Sequence, residues 1–288
     1  MKKIQKELNL SILPVLIIFL FSSVQSIAQF PYSWTEPASL TDSLSNNCNP
    51  DIKRIYENGQ EKLFMVWEKS FDSLSTAIYM KDISGLNSEI EVLSNPGIHY
   101  TQPKIFSLNY YGVAFDTLFY LFYQTNQSGN EDLFYLIYTS DGNFSEPQEF
   151  FNSDGDDYAF DCNSNYEIVW LSNEELFYTR YNSSLFGFDP PVGIDNEGCF
   201  NPKIDLNNYI FWERKEDSES HIYKSTKQGL NLWSDPELIY DSGFAANLNK
   251  DAMEFGLMTW GALIDSVWKV LVCIIWYDDI ARYDIGKR

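Results

Sequence analysis

Apolar and polar residues alternate along most of the chain in short runs bounded by Asn, Ser, Asp and Gly, and this period of two predicts half-buried β-strands. Ala77-Ile78-Tyr79-Met80, Leu133-Phe134-Tyr135-Leu136, Leu176-Phe177-Tyr178-Thr179 and His221-Ile222-Tyr223-Lys224 share one alternating pattern. Each follows a more continuously apolar run that ends in an aromatic residue: Leu63 to Trp67, Leu118 to Tyr123, Glu167 to Trp170 and Tyr209 to Trp212, with Val270 to Trp276 as the fifth counterpart. No window past the N-terminal segment has convincing 3.6-residue periodicity, so helices are not expected.

A heptad recurs between these runs. Trp34-Thr35-Glu36-Pro37-Ala38-Ser39-Leu40, Phe144-Ser145-Glu146-Pro147-Gln148-Glu149-Phe150 and Trp233-Ser234-Asp235-Pro236-Glu237-Leu238-Ile239 read aromatic, hydroxyl, acid, proline, two variable positions, apolar. Asn87 to Leu93 and Phe188 to Ile194 keep parts of the template. A second element, Asn49-Pro50-Asp51, Gln102-Pro103-Lys104 and Asn201-Pro202-Lys203, opens a strand after a heptad. With the heptad as fourth strand, each unit is a four-stranded sheet of about 50 residues, the size of one propeller blade. The pattern predicts an all-β fold, a β-propeller of five four-stranded blades. The strand around Trp34 is expected to complete the last blade, so that no orphan edge remains.

The N-terminus changes the compartment. Lys2, Lys3 and Lys6 precede an apolar run from Leu10 to Val24 that ends at Ser26-Ile27-Ala28, the layout of a cleaved signal peptide. Residues 1–28 are therefore expected to direct secretion or periplasmic export, and 29–288 to form a single domain. No cysteine stands at the expected new N-terminus, so a lipid anchor there is not expected, and no later window spans a bilayer. The whole chain carries 20 Lys and Arg against 41 Asp and Glu. Such an excess repels nucleic acid and anionic membranes. Cys48, Cys162, Cys199 and Cys273 could oxidise in that compartment, and spacing leaves their pairing open.

Asn-Pro opening a strand, then Phe211-Trp212-Glu213, then His221-Ile222-Tyr223-Lys224-Ser225, then Trp233-Ser234-Asp235-Pro236 resembles the sialidase-like, Asp-box (BNR) repeat propellers. The resemblance covers most of residues 31–288 and implies a propeller scaffold, with sialidase-like glycoside hydrolysis among its activities. The Asp box is incomplete here: Lys227 stands where its Asp belongs. The arginines that would clamp an acidic sugar are also not matched, Arg54-Ile55-Tyr56 being the nearest approach.

Chemistry is sparse. Strand openings and second-strand ends could approach an axial funnel, which makes Asp51, Glu68, Asp205, Glu213 and Asp278 the candidate carboxylates for glycoside cleavage. Trp67, Trp212 and Trp276 could stack on a sugar, although packing between blades is the favoured reading for them. Asp154, Asp156, Asp157 and Asp161 could hold Ca²⁺, although the EF-hand spacing is missing. No other cofactor is expected. The reading is an exported propeller that binds carbohydrate or a cell-surface protein without catalysis, with a carbohydrate-active hydrolase as the alternative.

Overall fold

The computed structural model describes residue 41 and residues 45–284, except 58, 71–74, 86–87, 108–116, 152, 164, 186, 206–207, 217–218, 242–245, 249–256, 265–266 and 277–278. Side chains are described as far as 239, save 216 and 219. The expected signal peptide and the Trp34 heptad lie outside the described residues.

All described strands belong to one compact unit, Ser43–Arg288, and form five antiparallel sheets in chain order. The first holds β1 (Asn46–Glu57), β2 (Gln60–Ser70), β3 (Thr76–Asp82) and β4 (Ile90–Leu93); the second holds β5 (Tyr100–Ser107), β6 (Thr117–Thr125), β7 (Asp132–Thr139) and β8 (Gln148–Glu149). In the third, β9 (Asp157–Cys162), β10 (Glu167–Ser172) and β11 (Glu175–Asn182) are followed by a fourth place split into β12 (Gly187–Phe188) and β13 (Val192–Asp195), both paired with β11. Pro190 and Pro191 explain the split, since neither has an N–H for the ladder. The fourth sheet holds β14 (Cys199–Ile204), β15 (Tyr209–Glu216), β16 (Glu219–Thr226) and β17 (Glu237–Asp241). Among the described residues there is no helix, and so none long and apolar enough to cross a membrane.

The fifth sheet departs from the expected register. It runs β18 (Ala246–Leu248), β19 (Leu257–Ile264), β20 (Val267–Trp276) and β21 (Asp279–Asp284) in that order. Val270 to Trp276 thus belongs to a third strand, not a second one, and the segment after it fills the fourth place. The position expected for the Trp34 strand is already occupied. Trp260, opposite Leu248 within β19, is the tryptophan of the second strand in this sheet. Two apolar runs lie close together here, and the more apolar one drew the assignment.

The heptad forms the fourth strands because its hydroxyl completes a ladder. Ser145 Oγ accepts from Ile137 N at 2.9 Å while Ser145 N donates to Ile137 O at 2.8 Å. Ser234 repeats this on Thr226, its Oγ accepting at 3.0 Å and its N–H donating at 2.9 Å. The side chain spans the irregularity where the turn re-enters the sheet, so a Ser there keeps the edge amide paired.

The core lies between sheets rather than inside one. Phe64, Val66 and Ile78 of sheet one pack with Ile105, Leu121 and Tyr123 of sheet two. Phe106 and Phe122 of sheet two pack with Ile168 and Trp170 of sheet three. Val169, Leu171 and Tyr178 pack with Ile210 and Trp212 of sheet four. Two buried ion pairs join sheets three and four. Arg214 holds Asp195 through two bonds of 2.7 Å and donates to Glu197 at 2.6 Å, with its guanidinium 4.2 Å from the Tyr223 ring centroid. Lys227, the residue at the Asp-box position, bonds Glu167 and lies 3.2 Å from Tyr178 Oη.

Candidate functional site

Four opening strands bulge at one equivalent place. Register passes from Cys48↔Glu68 to Asp51↔Val66, from Thr101↔Gln124 to Lys104↔Phe122, from Tyr158↔Leu171 to Asp161↔Val169, and from Phe200↔Glu213 to Lys203↔Phe211. Two residues therefore oppose one aromatic each time: Trp67, Tyr123, Trp170 or Trp212. The first bulged residue is left-handed, with φ of 47° at Asn49, 51° at Gln102, 46° at Ala159 and 49° at Asn201. Asn tolerates this conformation, whereas Gln102 and Ala159 hold it at a cost of roughly 1–2 kcal/mol each. The second is Pro50, Pro103, Phe160 or Pro202, and a proline leaves no bulge N–H unpaired.

The four bulges meet around one cavity of about 250 Å³, whose lining also includes Lys104 and Lys203. Strained backbone gathered at four equivalent positions around a hollow is the strongest mark of a site in the molecule. Lys104 lies 3.4 Å from Asp161. Burial pulls its ammonium down, but Asp161 and then Asp51 more than offset this and hold its pKa above the usual lysine value.

The candidate carboxylates have other engagements. Asp51 Oδ2 accepts from Ile105 N of the next sheet at 2.8 Å, and Asp161 Oδ2 accepts from Ile204 N of the sheet after its own at 3.2 Å. Glu68 accepts from Asn49 at 2.6 Å, from Cys48 at 3.3 Å and from the Gln102 amide of sheet two. Glu213, fully buried, accepts from Asn201 and Ser220, each at 2.9 Å. Asp205 is elsewhere. It closes the β14–β15 hairpin, accepting from Tyr209 N at 2.9 Å, and does not line the cavity. Asp278 lies outside the described residues. Thus Asp51 and Glu68 tie sheet to sheet at the opening strands, and among the described residues none of the candidate acids lines the hollow.

Trp67 and Trp212 are 1% and 0% exposed, with Nε1 bonded to Asn47 at 2.9 Å and to Asp195 at 2.6 Å. Neither offers a face to a sugar, which corrects the stacking role. The Trp276 side chain lies outside the described ones. The acidic loop is also not a cluster. Asp156 accepts from Glu131 N at 3.0 Å, Asp157 turns inward onto Ser153 at 2.9 Å, and Asp161 joins the bulge ring. Among the described residues, no three His, Cys, Asp or Glu side chains gather as metal ligands. Cys48, Cys162 and Cys199 stand on three different sheets, and burial pushes the Cys162 thiol up to about 12.

Asp157 itself is fully buried with Oδ1 lacking a hydrogen-bond partner. Burial raises its pKa, Ser172 and Ser153 oppose this, and Asp132 and Glu149 add to it. The folded protein therefore binds this proton more tightly than the unfolded chain, and the stabilisation is full at low pH and lost as pH rises through the folded pKa. Asp157→Asn is expected to be more stable than the parent at pH 7, by about 1 kcal/mol, and to match it near pH 4, as thermal unfolding at the two pH values would record.

The residues missed at the sequence level are Lys104 and Lys203. They occupy the Asp51 position of the strand-opening element, so the signal was present in the alignment of those tripeptides; a search for acids alone passed over it.

No known family profile matches the sequence, and no curated protein matches it. Among solved structures the chain is similar to an apocarotenoid oxygenase of Synechocystis, at 12% identity and a TM-score of 0.47, covering 83% of this chain and 61% of that one. It is also similar to a lectin of Aleuria aurantia in complex with Fucα1-6GlcNAc, at 9% identity and a TM-score of 0.45, covering 83% and 78%. The chain itself shows an all-β, propeller-like succession of antiparallel sheets, four strands to a sheet with the fourth place of the third sheet split in two.

Proposed function

We propose that the protein is an exported, non-catalytic propeller that binds a small polyhydroxylated ligand, a carbohydrate, in the cavity between its opening strands. In this reading residues 1–28 direct export and are removed, and the five sheets are blades of a closed ring. The observation that carries the function is the cavity itself, where four strained bulges converge while the neighbouring carboxylates are tied to backbone amides. A hydrolase needs two free carboxyls flanking a scissile bond, and Asp51, Glu68, Asp161 and Glu213 are each engaged. The cavity is smaller than the roughly 300–1,000 Å³ typical of drug-sized ligands, which suits a single sugar ring. Amide groups and ammoniums offer hydrogen bonds to hydroxyls, and Phe160 with the prolines offers apolar contact to ring C–H groups.

The test is a glycan array run beside a panel of chromogenic glycosides. Binding without turnover, abolished by Asn201→Leu in a variant that keeps the wild-type circular dichroism, is the expected result. Turnover of any glycoside would establish the hydrolase instead, and silence in both assays would remove the carbohydrate reading.

A further inference from the structure

The position that follows the bulge carries Asp51, Lys104, Asp161 and Lys203 in successive sheets, so that charge alternates from sheet to sheet, the two lysines lining the cavity and the two aspartates standing outside its lining. Each of these charges has a partner. Lys104 and Asp161 form an ion pair at 3.4 Å. Lys203, 5% exposed, donates to Pro202 O at 2.8 Å. Asp51 and Asp161 accept the next sheet's amides. Behind them, Glu68 and Glu213 stand on the second strands, bonded to the bulge residues Asn49 and Asn201.

From this arrangement we infer that the cavity selects neutral sugars against acidic ones and that Asp161 sets the selection. The inference rests on the carbohydrate reading above. An incoming carboxylate would have to displace Asp161 from Lys104 while meeting the fields of Asp51, Glu68 and Glu213, in an interior where such fields act strongly. A ligand cation would meet both ammoniums. A hydroxyl asks for no displaced charge: it takes hydrogen bonds from donors and acceptors already in place, and specificity here comes from what the ring repels. The resemblance to sialidases implies the opposite preference, an acidic sugar held by arginines, and no arginine lines this cavity among the described residues.

The experiment measures affinity for matched pairs, glucose with glucuronate and galactose with galacturonate, by titration calorimetry on the mature protein. Wild-type protein is expected to bind the hexose of a pair at least tenfold more tightly. Asp161→Asn keeps an acceptor for Ile204 N but takes from Lys104 its nearest counter-charge and leaves it Asp51 alone of the two, and should raise hexuronate affinity about tenfold with little change for the hexose. Lys104→Gln should move the ratio the other way, and the double variant should return towards wild type. Equal or tighter binding of hexuronates by the wild type, or a ratio unmoved by either variant, overturns the selection while leaving the binding function standing. Absence of binding to every sugar overturns both.

Discussion

Arg214→Met is expected to destabilise the protein by about 3–5 kcal/mol, the usual consequence of breaking a buried pair and leaving one charge behind. Asp195 is 9% exposed, and after the change only Trp212 Nε1 would still donate to it through a side chain among the bonds described above. The loss should appear as a lower denaturant midpoint with little change in slope. Arg214→Lys should recover only part of it, because an ammonium cannot make the two parallel bonds at 2.7 Å or lie flat over Tyr223. Full recovery by lysine would show that charge alone is at work.

Lys227→Met should cost a similar amount, about 3–5 kcal/mol. Glu167 is 2% exposed and is bonded to Tyr178 at 2.9 Å and Asn163 at 2.8 Å, so loss of the ammonium leaves an anion buried between sheets. Lys227→Met combined with Glu167→Gln is expected to restore most of the stability, since a neutral amide keeps the hydrogen-bonding roles. If the double variant is no better than the single one, the ammonium's place over the Tyr178 and Trp233 rings, 5.6 and 5.8 Å from their centroids, is what matters.

Much of the fold is written in local periodicity. The alternation at Ala77 to Met80 and the apolar run with its aromatic place strands correctly in the first four units, although each second strand continues two to four residues past that aromatic, because every described sheet is a meander of neighbours and needs no long-range information. The last unit failed where two apolar runs of similar length competed, and the sequence offers no bulge motif there to fix the register. The site was half legible. Asn-Pro and Gln-Pro mark the bulges directly, since a left-handed residue followed by an imino acid has few other uses at the start of a strand. What Asp51 and Glu68 do could not be read, because the amides that engage them belong to residues 34 to 54 positions away along the chain. Aromatic residues gave the opposite difficulty: the same Trp67 and Trp212 satisfy a packing role and a stacking role, and only burial separates them.

The ties from side chains to the backbone amides of the next sheet's opening strand share one polarity. Glu68 and Asp51 reach forward to Gln102 and Ile105, Gln124 reaches to Ala159 at 3.5 Å, and Asp161 reaches to Ile204. In each case the acceptor comes earlier in the chain and the donor later. As the polypeptide is threaded out from its N-terminus, each of the first three sheets leaves these acceptors waiting for a segment not yet delivered. Assembly is thereby vectorial: a sheet becomes settled when its successor arrives, and a chain interrupted between sheets has a loose trailing edge whose identity is fixed by the point of interruption.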